Sequence, residues 1–167
     1  MKIRIFLLMV ALCVITVLSA GCGGEKTYKT GEGTVKVQEN KVEVTTNDGS
    51  KSQVTASETG GVALPEAYPR DVVPIIDGGK VVLANKNEDA DKKVSFWVVV
   101  ESSKATADVY KFYQEVLKDA SETQNSQTNN EYYITGTKGD NNFTVGIIPG
   151  ADDNRKSTVQ IFVGPKE

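Results

Sequence analysis

Histidine is absent from all 167 residues of the chain. It is the most common acid or base near neutral pH, a common zinc ligand and the usual activator of a serine nucleophile, so three classes of active site lose their main component. No serine is followed by lysine three positions later, and no glycine-rich segment has the lysine of a phosphate-binding loop. The sequence therefore predicts a protein that is not an enzyme and that holds no cofactor.

Clusters of basic residues are missing as well, and none is longer than the pair Lys92-Lys93. The formal net charge of the full chain is −3, and removal of an amino-terminal segment containing Lys2 and Arg4 would make it −5. A protein with this charge balance is a poor partner for the phosphates of nucleic acids or anionic lipids. We therefore expect no nucleic-acid partner.

Acidic residues are plentiful, with 22 in the chain, but their spacing matches no metal-binding loop. Two acidic turns, at 88–91 and 152–154, offer oxygen atoms of the kind that calcium takes as ligands. Neither follows the Asp-x-Asp-x-Asp-Gly spacing, and Asp and Asn also stabilise turns through their own side chains. We predict no metal site. A small hydrolase that works through two carboxylates stays open as an alternative function.

The longest apolar run of the sequence lies near the amino terminus. It extends from Ile5 to Leu18 and is shorter than the roughly 20 residues that a membrane-spanning helix needs. Lys2 and Arg4 precede the run, and small residues follow it. These features are typical of a signal peptide, which we assign to residues 1–21.

Cysteine occurs only at positions 13 and 22. Leu18-Ser19-Ala20-Gly21-Cys22 resembles the lipobox of bacterial lipoproteins, although Ser19 stands where that family usually has leucine. The resemblance implies a diacylglyceryl group on the Cys22 thiol, with fatty acyl chains such as palmitate holding the protein to the extracytoplasmic side of a cell-envelope membrane. Ordinary cleavage after Ala20 or Gly21 is the alternative. In either case the mature fold has no disulfide, because Cys13 is removed with the signal peptide.

The remaining chain divides into four parts by composition. Residues 22–33 are polar and glycine-rich after the cysteine, which predicts a flexible tether with a span of about 18 Å. Residues 34–56 alternate weakly around valines and predict a small meander of three strands. Residues 57–79 contain three prolines, which exclude helix before them, and predict an extended strap rich in apolar side chains. Residues 80–167 form the main domain.

The main domain shows strand patterns on both sides of one helix. Apolar residues from Val109 to Ala120 recur at three-and-four spacing, which predicts an amphipathic helix. Two strands precede it, the polar residues 121–130 read as its exit loop, and three strands follow. Because the connections are short, we expect an α+β domain of order β-β-α-β-β-β with the helix packed on an antiparallel sheet.

The strap also carries a resemblance. Leu64-Pro65-Glu66-Ala67-Tyr68-Pro69-Arg70-Asp71-Val72, followed by Asp77-Gly78-Gly79-Lys80-Val81 and the helical Phe112-Tyr113, resembles a group of small bacterial lipoproteins of unassigned activity. The similarity covers residues 63 to 120. It implies a single-helix α+β fold on an extended strap, and it brings no catalytic residues.

Alternation along the strands separates two faces of the predicted sheet. We expect the helix to cover one face, which comprises Phe96, Val98, Ile134, Val145, Ile147, Val159 and Ile161. The opposite face then carries a candidate binding surface formed by Trp97, Val99, Tyr133, Ile148 and Phe162. Since the strap has many apolar residues to bury, we expect the strap or the valine strands to lie across that second face.

Taken together, the sequence predicts a lipid-anchored extracytoplasmic protein with a binding or structural role in the cell envelope. Its partners would be the membrane, through the lipid on Cys22, and an unidentified protein, glycan or apolar ligand. Two alternatives stay open besides it. One is the carboxylate-dependent hydrolase, and the other is a carrier that holds an apolar ligand between helix and sheet.

Overall fold

The computed structural model describes residues 25–152 and 155–166. In this part of the chain ten strands form one sheet, and one helix, α1 (Thr106–Val116), packs against it. The strands are β1 (Lys26–Thr30), β2 (Gly33–Gln38), β3 (Lys41–Thr46), β4 (Lys51–Ala56), β5 (Lys80–Glu88), β6 (Val94–Ser102), β7 (Ser121–Thr128), β8 (Glu131–Lys138), β9 (Asn141–Asp152) and β10 (Arg155–Pro165).

The strands lie in the order β1-β2-β3-β4-β5-β6-β10-β9-β8-β7, and every neighbouring pair is antiparallel. The first six strands pair in chain order, because short turns join most of them. The helix then carries the chain to the far edge, where β7 begins. From there the chain returns strand by strand until β10 pairs with β6.

The predicted fold class is wrong in two respects. The structure is mainly one antiparallel β-sheet with a short helix, instead of an α+β domain of order β-β-α-β-β-β preceded by a short three-stranded meander. Four strands, β1 to β4, precede the strap, and β4 pairs with β5 in register from Lys51–Glu88 to Ala56–Leu83. Backbone hydrogen bonds therefore join the valine strands to the main sheet, and no linker separates the two parts.

Strand β1 occupies a segment that we predicted to be flexible tether. Lys26–Thr30 pairs with β2 along its full length, from Lys26–Val37 to Thr30–Gly33. All five of its residues are exposed. The strand therefore lacks the buried alternation by which strands are recognised, and among the described strands it pairs with β2 alone, at one edge of the sheet.

Strand β7 was likewise missed, since 121–130 was predicted to be a loop. Its eight residues contain no apolar side chain, and it forms the other edge of the sheet. Natural edge strands are often polar, because a polar edge resists pairing with other molecules. The hairpin to β8 turns at Asn129 and Asn130, whose φ angles are 49° and 64°. Two successive left-handed residues are characteristic of a type I′ turn, for which asparagine is well suited.

The hydrophobic core lies between the sheet and a layer made by the helix and the strap. All seven residues that we expected under the helix are buried in this core, so their burial is confirmed, but the strap covers part of the face, as the contact of Tyr68 with Phe96 shows. The helix contributes Val109 and Tyr113, and Leu117 follows directly at its C-cap; the three recur at four-residue spacing and are at most 2% exposed. The strap contributes Tyr68, Val72, Val73 and Ile76 to the same cluster.

Aromatic contacts hold this layer to the sheet. The ring of Tyr68 meets Phe96 edge-on with centroids 5.7 Å apart, and Tyr110 of the helix stacks on Tyr132 of β8 at 4.6 Å. The hydroxyl of Tyr68 donates a hydrogen bond of 2.8 Å to the carbonyl of Val73, which closes the strap on itself. Burial raises the pKa of Tyr68 well above its usual value, so this hydroxyl stays protonated.

Candidate functional site

The strap packs on the same face of the sheet as the helix, so our expectation that it covers the opposite face is wrong. We call that opposite side the open face. Three of its predicted residues are well exposed: Trp97 at 42%, Phe162 at 44% and Tyr133 at 37%. Val99 and Ile148 are half-buried. Apolar content alone told us that the strap must be buried, but not against which side of the sheet.

The strand register brings the aromatic residues of the open face close together. Trp97 on β6 and Phe162 on β10 are direct cross-strand partners. Tyr133 lies on β8, two strands beyond β10, and pairs with Gly146. At the usual spacing of about 4.8 Å between strands, the three residues extend over roughly 14 Å of the sheet. The aromatic part of the predicted site is therefore assembled on rigid strands.

Two of these rings lie over glycines. A Cβ atom added to Gly146 would stand 3.1 Å from Cε1 of Tyr133, and one added to Gly164 would stand 3.2 Å from Cζ of Phe162. Both glycines therefore leave room for a ring that leans along the sheet, an arrangement known to stabilise glycines within strands. The sheet supports each ring, and part of each ring remains exposed to solvent.

A polar frame surrounds the aromatic residues. Asn85 on β5 is the cross-strand partner of Trp97 and is only 7% exposed. Its amide nitrogen donates to the hydroxyl of Ser52 at 3.2 Å, and its oxygen accepts a hydrogen bond from Asn87. Sequence reasoning missed this amide chain. The alternation of Leu83, Asn85 and Asn87 was the available signal, because it places both amides on the face opposite to the core.

Charge is nearly excluded from the centre of the open face. Three cross-strand rows pass through it between β5 and β8. Two are continuous in the pairing register, and in the other Gly164 lies beside Ser95, whose Cβ would be 3.3 Å from a Cβ added to the glycine. The rows are Asn87-Ser95-Gly164-Asn142-Thr137, Asn85-Trp97-Phe162-Thr144-Thr135 and Leu83-Val99-Gln160-Gly146-Tyr133. None of these residues is charged, although a quarter of the chain is. The first charged side chain, Glu101, belongs to the next row.

The margin of the open face carries one further hydrogen bond. The hydroxyl of Tyr133 donates to a carboxylate oxygen of Glu131 at 3.1 Å. This bond raises the pKa of the Tyr133 hydroxyl, and the negative charge of Glu131 adds to the effect. The phenol therefore stays protonated and, with its proton donated to Glu131, can accept a hydrogen bond at the rim of the aromatic surface.

In β1–β4 the apolar side chains lie on the face of the sheet opposite to the core. The valines of these strands, such as Val37, Val42 and Val54, share a cross-strand row with Asn85 and Trp97 and so lie on the open face. The helix side of the same strands is charged instead. A shallow trough there is lined by residues that include Lys36, Lys51, Lys86, Glu43 and Glu88. Its lysines and glutamates are mixed, which leaves no strong field of one sign.

The acidic turn at 88–91 uses its carboxylates within the protein. Asp89 accepts a hydrogen bond of 2.8 Å from the backbone of Lys93, and Glu88 forms an ion pair of 3.0 Å with Lys92. The hydrogen bond from Lys92 lowers the pKa of Glu88. Within residues 25–152 and 155–166, no group of three or more acidic or cysteine side chains is placed to hold a metal ion. Part of the second acidic turn, 153–154, lies outside the described residues.

Carboxylates with a clear pKa shift lie far apart in the chain. Asp48 is in the β3–β4 turn, Glu88 ends β5, and Asp119 follows the helix. The pKa of each is lowered by hydrogen bonds. A general acid of a glycosidase needs a raised pKa beside a second carboxylate. These three residues therefore give the hydrolase alternative no support.

Cys22 and the predicted signal peptide lie outside the described residues, so the lipid anchor stays a prediction. In the part of the chain that the structure describes, no helix has the length and apolarity to span a membrane. No family model, no curated protein and no solved structure matches this chain. The resemblance of the strap to small bacterial lipoproteins therefore also stays a prediction.

Proposed function

We propose that this chain is a lipid-anchored protein of the cell envelope, held on the extracytoplasmic side, that works by binding through its open face. The lipobox-like segment that ends at Cys22 supports the anchor. The observation that carries the binding role is the exposure of Trp97, Phe162 and Tyr133 on supported strands within three uncharged rows. Exposed aromatic surface with a polar frame is a common feature of interaction sites.

The chemistry of the open face favours an uncharged partner with both apolar and hydroxyl groups. Aromatic rings offer flat apolar surface, while Asn87, Gln160 and Thr144 offer donors and acceptors between them. A purely apolar ligand would remove these polar groups from water without replacing their hydrogen bonds. A charged ligand would find no opposite charge in the three central rows. A neutral glycan fits both conditions, because a sugar ring has an apolar C–H face and a hydroxyl edge.

The anchor is tested by cell fractionation of two cysteine variants. Cys22→Ala should move the protein from the membrane fraction to the soluble extracytoplasmic fraction, because the thiol that accepts the lipid is gone. Cys13→Ala is the matched control and should stay in the membrane fraction, since that cysteine lies within the signal peptide. Membrane retention of the Cys22→Ala protein would contradict the proposal.

The binding surface is tested by the fluorescence of Trp97, which is the only tryptophan in the chain. Titration with a neutral oligosaccharide should shift and enhance its emission, because a stacked sugar removes water from the indole. Emission that does not change with any neutral oligosaccharide of the envelope would argue against a glycan.

A pair of variants separates the aromatic centre of the open face from aromatic exposure in general. Trp97→Ala should abolish the capture of a glycan or protein partner by in-cell crosslinking. Tyr28→Ala should leave it unchanged, because Tyr28 is also exposed, at 49%, but lies on edge strand β1, five strands away from β6. Equal capture by both variants would exclude the aromatic centre of the open face as the binding surface.

A further inference from the structure

The position of β1 bears directly on how an anchored protein would meet its membrane. Strand β1 begins at Lys26, so only Gly23, Gly24 and Glu25 separate it from Cys22. At the fully extended limit of about 3.6 Å per residue, Lys26 lies within roughly 14 Å of the lipidated cysteine. The tether that we predicted over 22–33 is therefore much shorter, because β1 and its turn occupy most of it.

The strand order then sets how far each strand lies from β1, the strand that follows the anchor in the chain. The edge strand β1 is next to it, and β7 is at the opposite edge, nine strand spacings away. At about 4.8 Å per spacing, β4 is roughly 14 Å from β1, β6 roughly 24 Å and β7 roughly 43 Å. Backbone pairing is continuous from β1 to β6, so the distance of a strand from β1 increases with its position in the sheet.

We propose that the anchored protein stands edge-first on the membrane, with β1 against the lipid headgroups and β1–β4 serving as a spacer that holds the open face of β5–β8 away from the bilayer. This inference rests on the proposed function, because it requires the lipid on Cys22. It adds the surface that meets the membrane and the distance at which the aromatic residues are presented.

The composition of the sheet supports contact by the edge over contact by the open face. A sheet lying face-down with its aromatic rings among the acyl chains would also take Thr144 and Gln160 out of water, at a cost of about 1–3 kcal/mol for each group left unsatisfied. The β1 edge has no such cost. Its side chains are all exposed, and Lys26, Lys29 and Thr30 stay hydrated among headgroups.

The test measures distance from the bilayer at three strands. The mature lipoprotein has no free thiol, because Cys13 is removed and Cys22 is acylated, so one introduced cysteine can be labelled uniquely. Lys29→Cys on β1, Lys51→Cys on β4 and Gln124→Cys on β7 are all at exposed positions. Each labelled protein is reconstituted into phosphatidylcholine vesicles that carry an energy acceptor on the headgroups.

We expect energy transfer to decrease from Lys29→Cys through Lys51→Cys to Gln124→Cys, by several-fold in total. Brominated acyl chains should not quench Trp97. Equal transfer at all three labels, together with quenching of Trp97, would mean that the sheet lies flat and would overturn this inference while the anchor stands. Protein that does not bind the vesicles at all would instead contradict the proposed function, and this inference with it.

A length variant provides an independent check. Insertion of ten Gly and Ser residues between Gly24 and Glu25 should lower transfer from Lys29→Cys markedly and reduce the difference between the three labels, because the edge is no longer held near the anchor. A gradient that is unaffected by the insertion would show that something other than the short tether orients the sheet.

Discussion

The two parts of the sheet use their apolar residues in opposite ways. In β5–β10 most of the apolar side chains face the helix and the strap and form the core. In β1–β4 they face the other side of the sheet, and Val42 is the one apolar residue among residues 25–56 that is buried. The difference shows that backbone pairing can extend a sheet well beyond its core, once a packed part provides a stable edge.

The largest expected effect is the loss in the free energy of unfolding when a large core side chain is truncated. Ile161→Ala removes a fully buried side chain at the centre of the packed part. We expect a loss of about 2–5 kcal/mol in the free energy of unfolding, from lost burial and the remaining cavity. Urea unfolding followed by Trp97 fluorescence measures it, with Lys111→Ala on the exposed side of the helix as control. A loss below about 1 kcal/mol would show that the core is loosely packed.

A matched pair of valines compares the two parts directly. Val145→Ala in β9 should cost about 2–3 kcal/mol, because it leaves a cavity beneath the helix and strap layer. Val42→Ala in β3 should cost only about 1.5 kcal/mol, the transfer term of the lost methyl groups, because Val42 lies outside the core cluster formed with the helix and the strap.

Hydrogen exchange extends the valine comparison. Val42→Ala should speed amide exchange in β1–β4 and leave β9 and β10 unchanged. Equal costs for the two valines, with exchange faster everywhere, would mean that β1–β4 unfold only together with the core.

Two buried tyrosines in the packed part differ in how their hydroxyl groups should contribute to stability. Tyr68→Phe removes the hydrogen bond to the Val73 carbonyl and should cost about 1 kcal/mol. The Tyr113 hydroxyl approaches the backbone of Ile76 but makes no hydrogen bond of good geometry. Tyr113→Phe should therefore be neutral or slightly stabilising in thermal unfolding. If Tyr113→Phe destabilises the protein more than Tyr68→Phe does, then its hydroxyl has a partner in solution.

The smallest expected effect is a pH response in the amino-terminal part. Asp48 accepts hydrogen bonds from the Thr46 hydroxyl and the Ser50 backbone, which lower the pKa of its carboxyl below 3.8. Its contribution to stability is therefore present above the unfolded pKa and lost as pH falls through the folded value. Carbon-detected NMR titration of the Asp48 carboxyl should show the lowered midpoint. A midpoint at or above 3.8 would mean that this turn is open in solution.

The sequence allowed the covered face to be predicted because alternation and burial coincide there. Phe96 and Val98 on β6, or Val159 and Ile161 on β10, are apolar because a second layer covers them. The same logic failed for β1 and β7, since edge strands with two solvated faces need no apolar residues. It also failed for the side on which the strap packs, because that choice depends on long-range contacts such as Tyr68 with Phe96.

The candidate site was predicted in part. Trp97, Tyr133 and Phe162 were placed correctly on the face opposite to the helix, because strands alternate strictly. The exposure of these three side chains was not predicted, and the position of Asn85 beside Trp97 was not predicted either. Both depend on which residues of β4 and β5 lie beside β6. Pairing between strands that are separated by a long strap is a non-local property, and neither periodicity nor turn residues report it.

Strand β10 has a consequence for the order in which the molecule can assemble. It is the only strand that pairs with both β6 and β9, so the described sheet would fall into pieces of six and three strands without it. Until it emerges, the apolar edges of β6 and β9 have no partner and are open to wrong association. The middle of the described sheet is therefore completed only after the strands on both sides of it have been made, since β10 follows all of them in the chain.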